Sequence, residues 1–205
     1  MNLDRYSVQD DTLVIIPVFN EEKVIVETIN NVKKLFSNIL VINDGSTDQT
    51  LSLIKELPIK VISHLINLGQ GAALDTGFKY FCKSERFKYA ITFDGDGQHI
   101  PNDAFEMLFL AKKKKSEIVI ASRFISKKIS TNIPFLKKII LKLAMIYERI
   151  FYDIKLTDAH NGLRVISKEV VLNWIIPIED FDMAHATEIS YKLFKVFIFF
   201  FFKLI

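Results

Sequence analysis

Short unbroken apolar runs alternate along the chain with longer stretches whose apolar positions recur every three or four residues. Thr12–Val18 (TLVIIPV) is apolar from its second residue onward, the pattern of a strand covered on both faces. In Glu22–Phe36, Val24, Ile25, Thr28, Ile29, Val32 and Leu35 fall at helical spacing. Asn38–Asn43 (NILVIN) predicts a second strand and Thr47–Leu57 a second helix, with Ser46, Thr47 or Asp48 available as its cap. Lys60–His64, Gly71–Cys82 and Tyr89–Phe93 continue as strand, helix and strand. Pro101–Lys114 reads as a helix opened by proline, and Glu117–Ala121 (EIVIA) as a fifth strand. This alternation predicts an α/β fold, with a mostly parallel central sheet flanked by helices.

After Ser122 the rhythm changes. Phe135–Phe151 forms an amphipathic pattern in which Lys137, Lys138, Lys142 and Arg149 interrupt apolar residues, as in a helix packed on the sheet or lying on a membrane. The polar stretch Thr157–Asn161 leads into a short strand, Gly162–Ile166, followed by two further helical segments and the apolar tail Val196–Ile205 (VFIFFFFKLI). A membrane-spanning helix needs about 20 apolar residues, about twice this run. The tail therefore reads as a buried strand or helix end, an interfacial anchor, or the stub of something longer. No linker or repeat interrupts the 205 residues, and a single domain is expected over 1–205.

Composition narrows the classes. Half the residues are apolar and a quarter charged, which excludes a disordered chain. The net charge of +3 is too mild for a nucleic-acid partner. The single cysteine, Cys82, excludes an internal disulfide and any multi-cysteine metal site, and fits a reducing compartment. Met1–Asp11 lacks the apolar core of a secretory signal.

Ligands of open α/β sheets bind beyond the carboxyl ends of the strands, and the polar residues of this chain gather there. The first strand runs into Pro17-Val18-Phe19-Asn20-Glu21-Glu22 and the second into Asn43-Asp44-Gly45-Ser46-Thr47-Asp48. The third leads to Asn67-Leu68-Gly69-Gln70-Gly71, and the fourth to Asp94-Gly95-Asp96-Gly97-Gln98-His99. Asp94 and Asp96, separated by a glycine, can approach one divalent cation, and oxygen ligands favour Mg2+ or Mn2+. A dinucleotide fingerprint, a P-loop and an EF-hand all fail: strand one ends in PVFNEE, no G-K-[ST] occurs, and the twelfth position counted from Asp94 is Phe105. A haloacid-dehalogenase-type phosphatase also ends a strand in D-x-D, with Asp94 as nucleophile, but carries that motif on its first strand. His99, His160 and His185 read as hydrogen-bonded structural histidines, and His64 carries no functional expectation.

The ordered set IIPVFNEE, VINDGSTDQT, NLGQGAALDTGF, ITFDGDGQHIP and ASRF, with TDAHNGLRVIS and MAHATE further on, resembles inverting family 2 glycosyltransferases. The dolichyl- or polyprenyl-phosphate hexose synthase branch is the nearest pattern, and the resemblance covers about Leu13 to Glu188. It implies a GT-A fold, with a nucleotide-binding half over about 12–123, an acceptor-side half over about 124–195 and the tail beyond. It also implies a nucleoside-diphosphate sugar donor, GDP- or UDP-linked, and an Mg2+ or Mn2+ ion. By matched position, Pro17, Phe19, Glu21, Ile42, Asp44, Asp94, Gly95, Asp96 and Arg123 bind the nucleotide-sugar, with Asp44 reading the base. Asp94, Asp96 and Gln98 hold the metal. Asp96, Arg123 and Asp158 form the catalytic set, and Arg123 and Arg164 are candidates for an acceptor phosphate. Two departures stand out: Phe19 replaces the family's usual Tyr, and Asn43 the first Asp of Asp-Asp-Gly-Ser.

These matches imply transfer of a hexose to a polyprenyl phosphate at the cytoplasmic face of a membrane, with a peripheral membrane contact. An anionic acceptor needs no general base, whereas a saccharide hydroxyl in cell-surface glycan synthesis needs one, for which Asp158 and Glu188 are candidates. The phosphatase and a non-catalytic nucleotide-sugar-binding protein are the alternatives from other classes.

Overall fold

The computed structural model describes residues 9–122, 161–175, 177–178 and 200–203. Seven strands form one sheet in the order β3-β2-β1-β4-β6-β5-β7. They are β1 (Thr12–Val18), β2 (Ile39–Asn43), β3 (Lys60–Ser63), β4 (Tyr89–Thr92), β5 (Ile118–Ser122), β6 (Arg164–Ser167) and β7 (Phe200–Lys203). β1, β2, β3 and β4 run parallel, while β6 lies antiparallel to both β4 and β5. β7 pairs in parallel with β5, so the strand reading of the apolar tail holds for Phe200–Lys203.

Among the described residues four helices follow the strands: α1 (Ile25–Lys33), α2 (Thr50–Lys55), α3 (Gln70–Lys83) and α4 (Pro101–Lys114). A single turn, α5 (Lys168–Val170), continues as a π-helical segment over Val171–Ile175. Every residue of β1 and β2 is buried, because helices cover both faces. Val14, Ile16 and Val18 point into one core with Ile25, Ile29, Val32 and Leu108. Leu13 and Ile15 point into the other, against Leu74, Phe78, Phe81 and Val171. Period two on the strands thus meets helical spacing on each side.

Gly77 brings α3 close to the sheet: a β-carbon there would lie 2.4 Å from Cγ2 of Ile15. α1 and α2 are shorter than the apolar spacing predicts, because their flanking turns are spent on the loops that build the site. Among the described residues no helix is long and apolar enough to cross a membrane. The Phe135–Phe151 pattern lies outside the described residues.

Candidate functional site

The carboxyl ends of β1, β2 and β4 and the β3–α3 connection enclose a cavity of about 360 Å³. Its walls include Pro17, Phe19, Glu21, Asp44, Asn67, Gly69, Gln70, Ala73, Asp94, Gly95 and Asp96.

The first two strand ends are tied to each other. Asn20 adopts a left-handed backbone (φ 54°), which asparagine tolerates. Its Oδ1 accepts from the Thr47 N–H at 2.8 Å, while its own N–H donates to Ser46 Oγ at 3.0 Å. Glu21 N–H donates to Thr50 Oγ1 at 2.8 Å and Glu22 N–H to Asp48 Oδ2 at 3.2 Å. Glu22 Oε2 accepts in return from the Gln49 N–H at 2.9 Å. The polar residues of FNEE and GSTDQT therefore satisfy one another's backbone donors ahead of α1 and at the start of α2, and tie the two strand ends together. Asp48 Oδ1 also accepts from the Thr50 N–H at 2.9 Å, but the N-cap of α2 is Gln49, so none of Ser46, Thr47 and Asp48 takes the cap position. Burial raises the Asp48 pKa, but the hydrogen bonds from Thr50 and Glu22 outweigh it and hold the carboxyl below its ordinary value.

Asp44 sits at one end of the cavity and is 2% exposed. Its Oδ1 meets His64 Nδ1 at 2.7 Å and the Leu68 N–H at 3.0 Å, and its Oδ2 accepts from the Gly69 N–H at 2.8 Å. His64 is held from its other side by Thr76 Oγ1 at 2.9 Å from Nε2. Gly45 lets the β3–α3 loop close over this carboxylate: at φ +66° it lies so near that a β-carbon would sit 2.3 Å from the Ile66 carbonyl carbon. The neighbouring Asn43, 1% exposed, donates through Nδ2 to Ser63 Oγ at 2.8 Å. A neutral amide at this position avoids burying a second carboxylate beside Asp44.

Asp94 lines the same cavity. Its Oδ1 accepts from Gln70 Nε2 at 3.0 Å, and its Oδ2 meets His99 Nε2 at 2.9 Å. The His99 ring stands edge-on to Phe93, with centroids 5.4 Å apart. Burial raises the Asp94 pKa, yet the His99 hydrogen bond and charge, the Arg164 charge and the Gln70 amide bring it below the ordinary value. Asp96 Oδ1 accepts from the Gln98 N–H at 3.0 Å, with Gly97 at φ +77° completing the turn. Glu21 lines the cavity too. Burial raises its pKa first, and the charges of Asp96 and Asp48 raise it further.

Seven of the residues expected at the nucleotide-sugar site, Pro17, Phe19, Glu21, Asp44, Asp94, Gly95 and Asp96, line this one cavity. Two fall elsewhere. Ile42 is fully buried in the core beneath α3, because β2 is covered on both faces. Arg164 is 1% exposed on β6, paired in register with Thr92, and its charge acts on Asp94 from behind. Gln98 is exposed beside Asp96 and absent from the cavity wall. Arg123, Asp158, His160, His185 and Glu188 lie outside the described residues.

Sequence reasoning missed His64, Asn67 and Gln70, and it gave His99 no role beyond a structural one. No local pattern marks His64. It lies one residue past β3 and twelve positions before Thr76 on α3, and it bridges strand and helix.

The residues fit a divalent cation. Asp94 and Asp96 with the Gln98 amide oxygen make an all-oxygen donor set, as Mg2+ and Mn2+ prefer. The cavity wall carries Glu21, Asp44, Asp94 and Asp96 and, among the described residues, no lysine or arginine. Among the described residues no group of three or more His, Cys, Asp or Glu is gathered to hold a metal by itself. A two-carboxylate site leaves its remaining positions to ligand phosphates and water.

Residues 13–174 match the model of glycosyl transferase family 2. The chain is 33% identical, over 77% of its length and 70% of the relative's, to a UDP-N-acetylglucosamine–dolichyl-phosphate N-acetylglucosaminyltransferase of Methanococcus voltae. It is 34% identical, over 77% of its length and 46% of the relative's, to a dolichol-phosphate mannosyltransferase of Pyrococcus furiosus. Among solved structures, it resembles a glucosyl-3-phosphoglycerate synthase from Mycobacterium tuberculosis in complex with Mn2+, UDP-glucose and phosphoglyceric acid. That likeness has a TM-score of 0.61 at 16% identity, over 83% of this chain and 62% of the other, and shows the fold. The chain spans about two thirds of the Methanococcus relative's length and under half of the Pyrococcus one's.

Proposed function

Given that the chain belongs to glycosyl transferase family 2, we propose that it moves a hexose from a nucleoside-diphosphate sugar to a polyprenyl phosphate, with inversion at the anomeric carbon. The observation that carries the reading is the charge of the cavity: four carboxylates line it without a basic residue among the described ones. Such a wall repels a bare diphosphate and accepts one only together with a cation. Asp94, Asp96 and Gln98 would hold a divalent ion, which would neutralise the charge that builds on the departing diphosphate. Pro17, Phe19, Ala73 and Asp44 line the cavity; in this reading the first three flank the base and Asp44 accepts from its ring N–H. Gln70 and His99 orient Asp94 through its two oxygens.

In the transfer, an oxygen of the acceptor phosphate bonds to the anomeric carbon as the bond from that carbon to the nucleoside diphosphate breaks. The electron pair leaves with the diphosphate, and the anionic acceptor needs no proton removed. The dolichyl-phosphate relatives support a lipid-phosphate acceptor. Such an acceptor places the reaction at a membrane surface, on the cytoplasmic side where sugar nucleotides are made. Membership of this family displaces the phosphatase reading of Asp94.

The test is transfer of radiolabelled sugar from its nucleotide into an organic-phase lipid, with Asp96→Ala as control. Metal-dependent label in the lipid, absent in Asp96→Ala, is the expected result. Label on a saccharide hydroxyl instead would select the glycan-synthesis alternative, and donor binding without transfer would select the non-catalytic one.

A further inference from the structure

We propose that the cavity selects uracil among the nucleotide bases, because its base-reading carboxylate has one acceptor position left to give. The inference rests on the donor-site reading above and adds the identity of the base. An ionised carboxylate offers about four lone-pair positions. Asp44 has committed three of them, two on Oδ1 to His64 and the Leu68 N–H and one on Oδ2 to the Gly69 N–H. One position remains, on Oδ2.

Uracil matches that count. Its pairing edge carries a single N–H, at N3, between two carbonyl oxygens (thymine shares this edge). Guanine carries N1–H and an amino group side by side, and one of those donors would be left without an acceptor. Adenine and cytosine present a ring-nitrogen lone pair at the equivalent place, which an anionic oxygen repels. Asn67, on the same wall, accepts through Oδ1 from the Gly69 N–H at 3.0 Å, leaving its amino group to serve a flanking uracil carbonyl.

His64 sets the count. To reach a carboxylate oxygen its Nδ1 must carry a proton, and Thr76 across the ring holds the imidazole in place. His64 is therefore a positioning residue that acts on the base through Asp44.

The experiment is isothermal titration of the full chain with UDP, GDP, CDP and ADP, each with Mn2+. UDP is expected to bind about tenfold or more tighter than GDP, the cost of one donor left unmatched in a site built for another pattern. His64→Ala vacates a position on Oδ1 and is expected to narrow the UDP-to-GDP ratio. GDP, CDP or ADP binding as tightly as UDP, or an unchanged ratio in a folded His64→Ala, would overturn the proposal. The wild-type ranking decides it without any variant. Failure of all four nucleotides would refute the donor-site reading itself and carry this inference down with it.

Discussion

Gly162 is where the fold presses hardest on the acidic site. It sits in the chain entering β6, beside β4, and its carbonyl accepts from Thr92 Oγ1. A β-carbon at this glycine would lie 2.1 and 2.3 Å from the two oxygens of Asp94 and 2.5 Å from its carboxyl carbon. Ordinary contact begins near 3.4 Å, so Gly162→Ala must push the carboxylate aside by about 1 Å or open the β4–β6 pairing. Either movement pulls Asp94 from Gln70 and His99. Overpacking of this kind costs about 1–3 kcal/mol, and in a chain of this size 1 kcal/mol shifts Tm by about 2–4 °C. Thermal unfolding of Gly162→Ala is therefore expected about 2–12 °C below the parent. Mn2+-dependent nucleotide affinity, followed by titration in the same samples, should fall by about tenfold or more. Gly97→Ala is the comparison. Its strain comes from φ +77°, and the nearest neighbour of the added carbon is Thr28 Oγ1 at 3.3 Å, so Asp94 stays in place. Unchanged Tm and unchanged affinity in Gly162→Ala would refute the claim that the strand entry holds Asp94.

Glu21→Gln tests the repulsion at the acidic end. Because the folded pKa of Glu21 is raised, its contribution to stability is present below the unfolded value and lost as pH rises through the folded one. The variant should match the parent near pH 4 and exceed it at pH 7 in metal-free urea melts. Asp48 has the opposite sign: its folded pKa is lowered, so its contribution is present above the ordinary value of 3.8 and lost as pH falls. Asp48→Asn should melt below the parent at pH 7, with the gap closing under acid. Phe19, 41% exposed on the rim, supports little of the core. Phe19→Ala should leave stability within about 0.5 kcal/mol and weaken nucleotide binding by about 1 kcal/mol or more, the worth of one stacked base.

The parallel half of the sheet was legible because β1, β2 and β4 are apolar for a simple reason, burial in the middle of the sheet, and each is followed by a polar cluster, while β3, at the edge, keeps Lys60 and Ser63 exposed. Residue type alone placed Glu21, Asp44, Asp94 and Asp96 at one edge, and the structure gathers them around one cavity. Helix ends were harder to read. Apolar spacing carried α1 from Glu22 to Phe36, but the backbone donors of Glu21 and Glu22 bond to the β2–α2 loop, and the helix starts at Ile25. Ser46, Thr47 and Asp48 were the possible caps of α2, but the helix begins later and its N-cap is Gln49, with Asp48 one position before it. Arg164 shows the limit of reading by motif. GLRV marks an arginine near the site, but only the antiparallel register of β6 with β4 reveals that it is buried behind Asp94. The role of His64 depends on a contact with Asp44 across 20 residues and on Thr76 from α3, which no local pattern announces.

The central claim is that the acidic cavity takes a sugar nucleotide together with a divalent cation. Its most direct test is the thermal shift of the full chain with UDP-sugar and Mn2+, against UDP-sugar with EDTA and against Asp96→Ala. At a hundredfold excess over the dissociation constant, binding to the folded state stabilises it by about 2.7 kcal/mol, a rise of about 5–11 °C at this chain length. That rise is expected for the parent with Mn2+, and neither with EDTA nor in Asp96→Ala. An equal rise in EDTA, or an undiminished one in Asp96→Ala, would contradict the account.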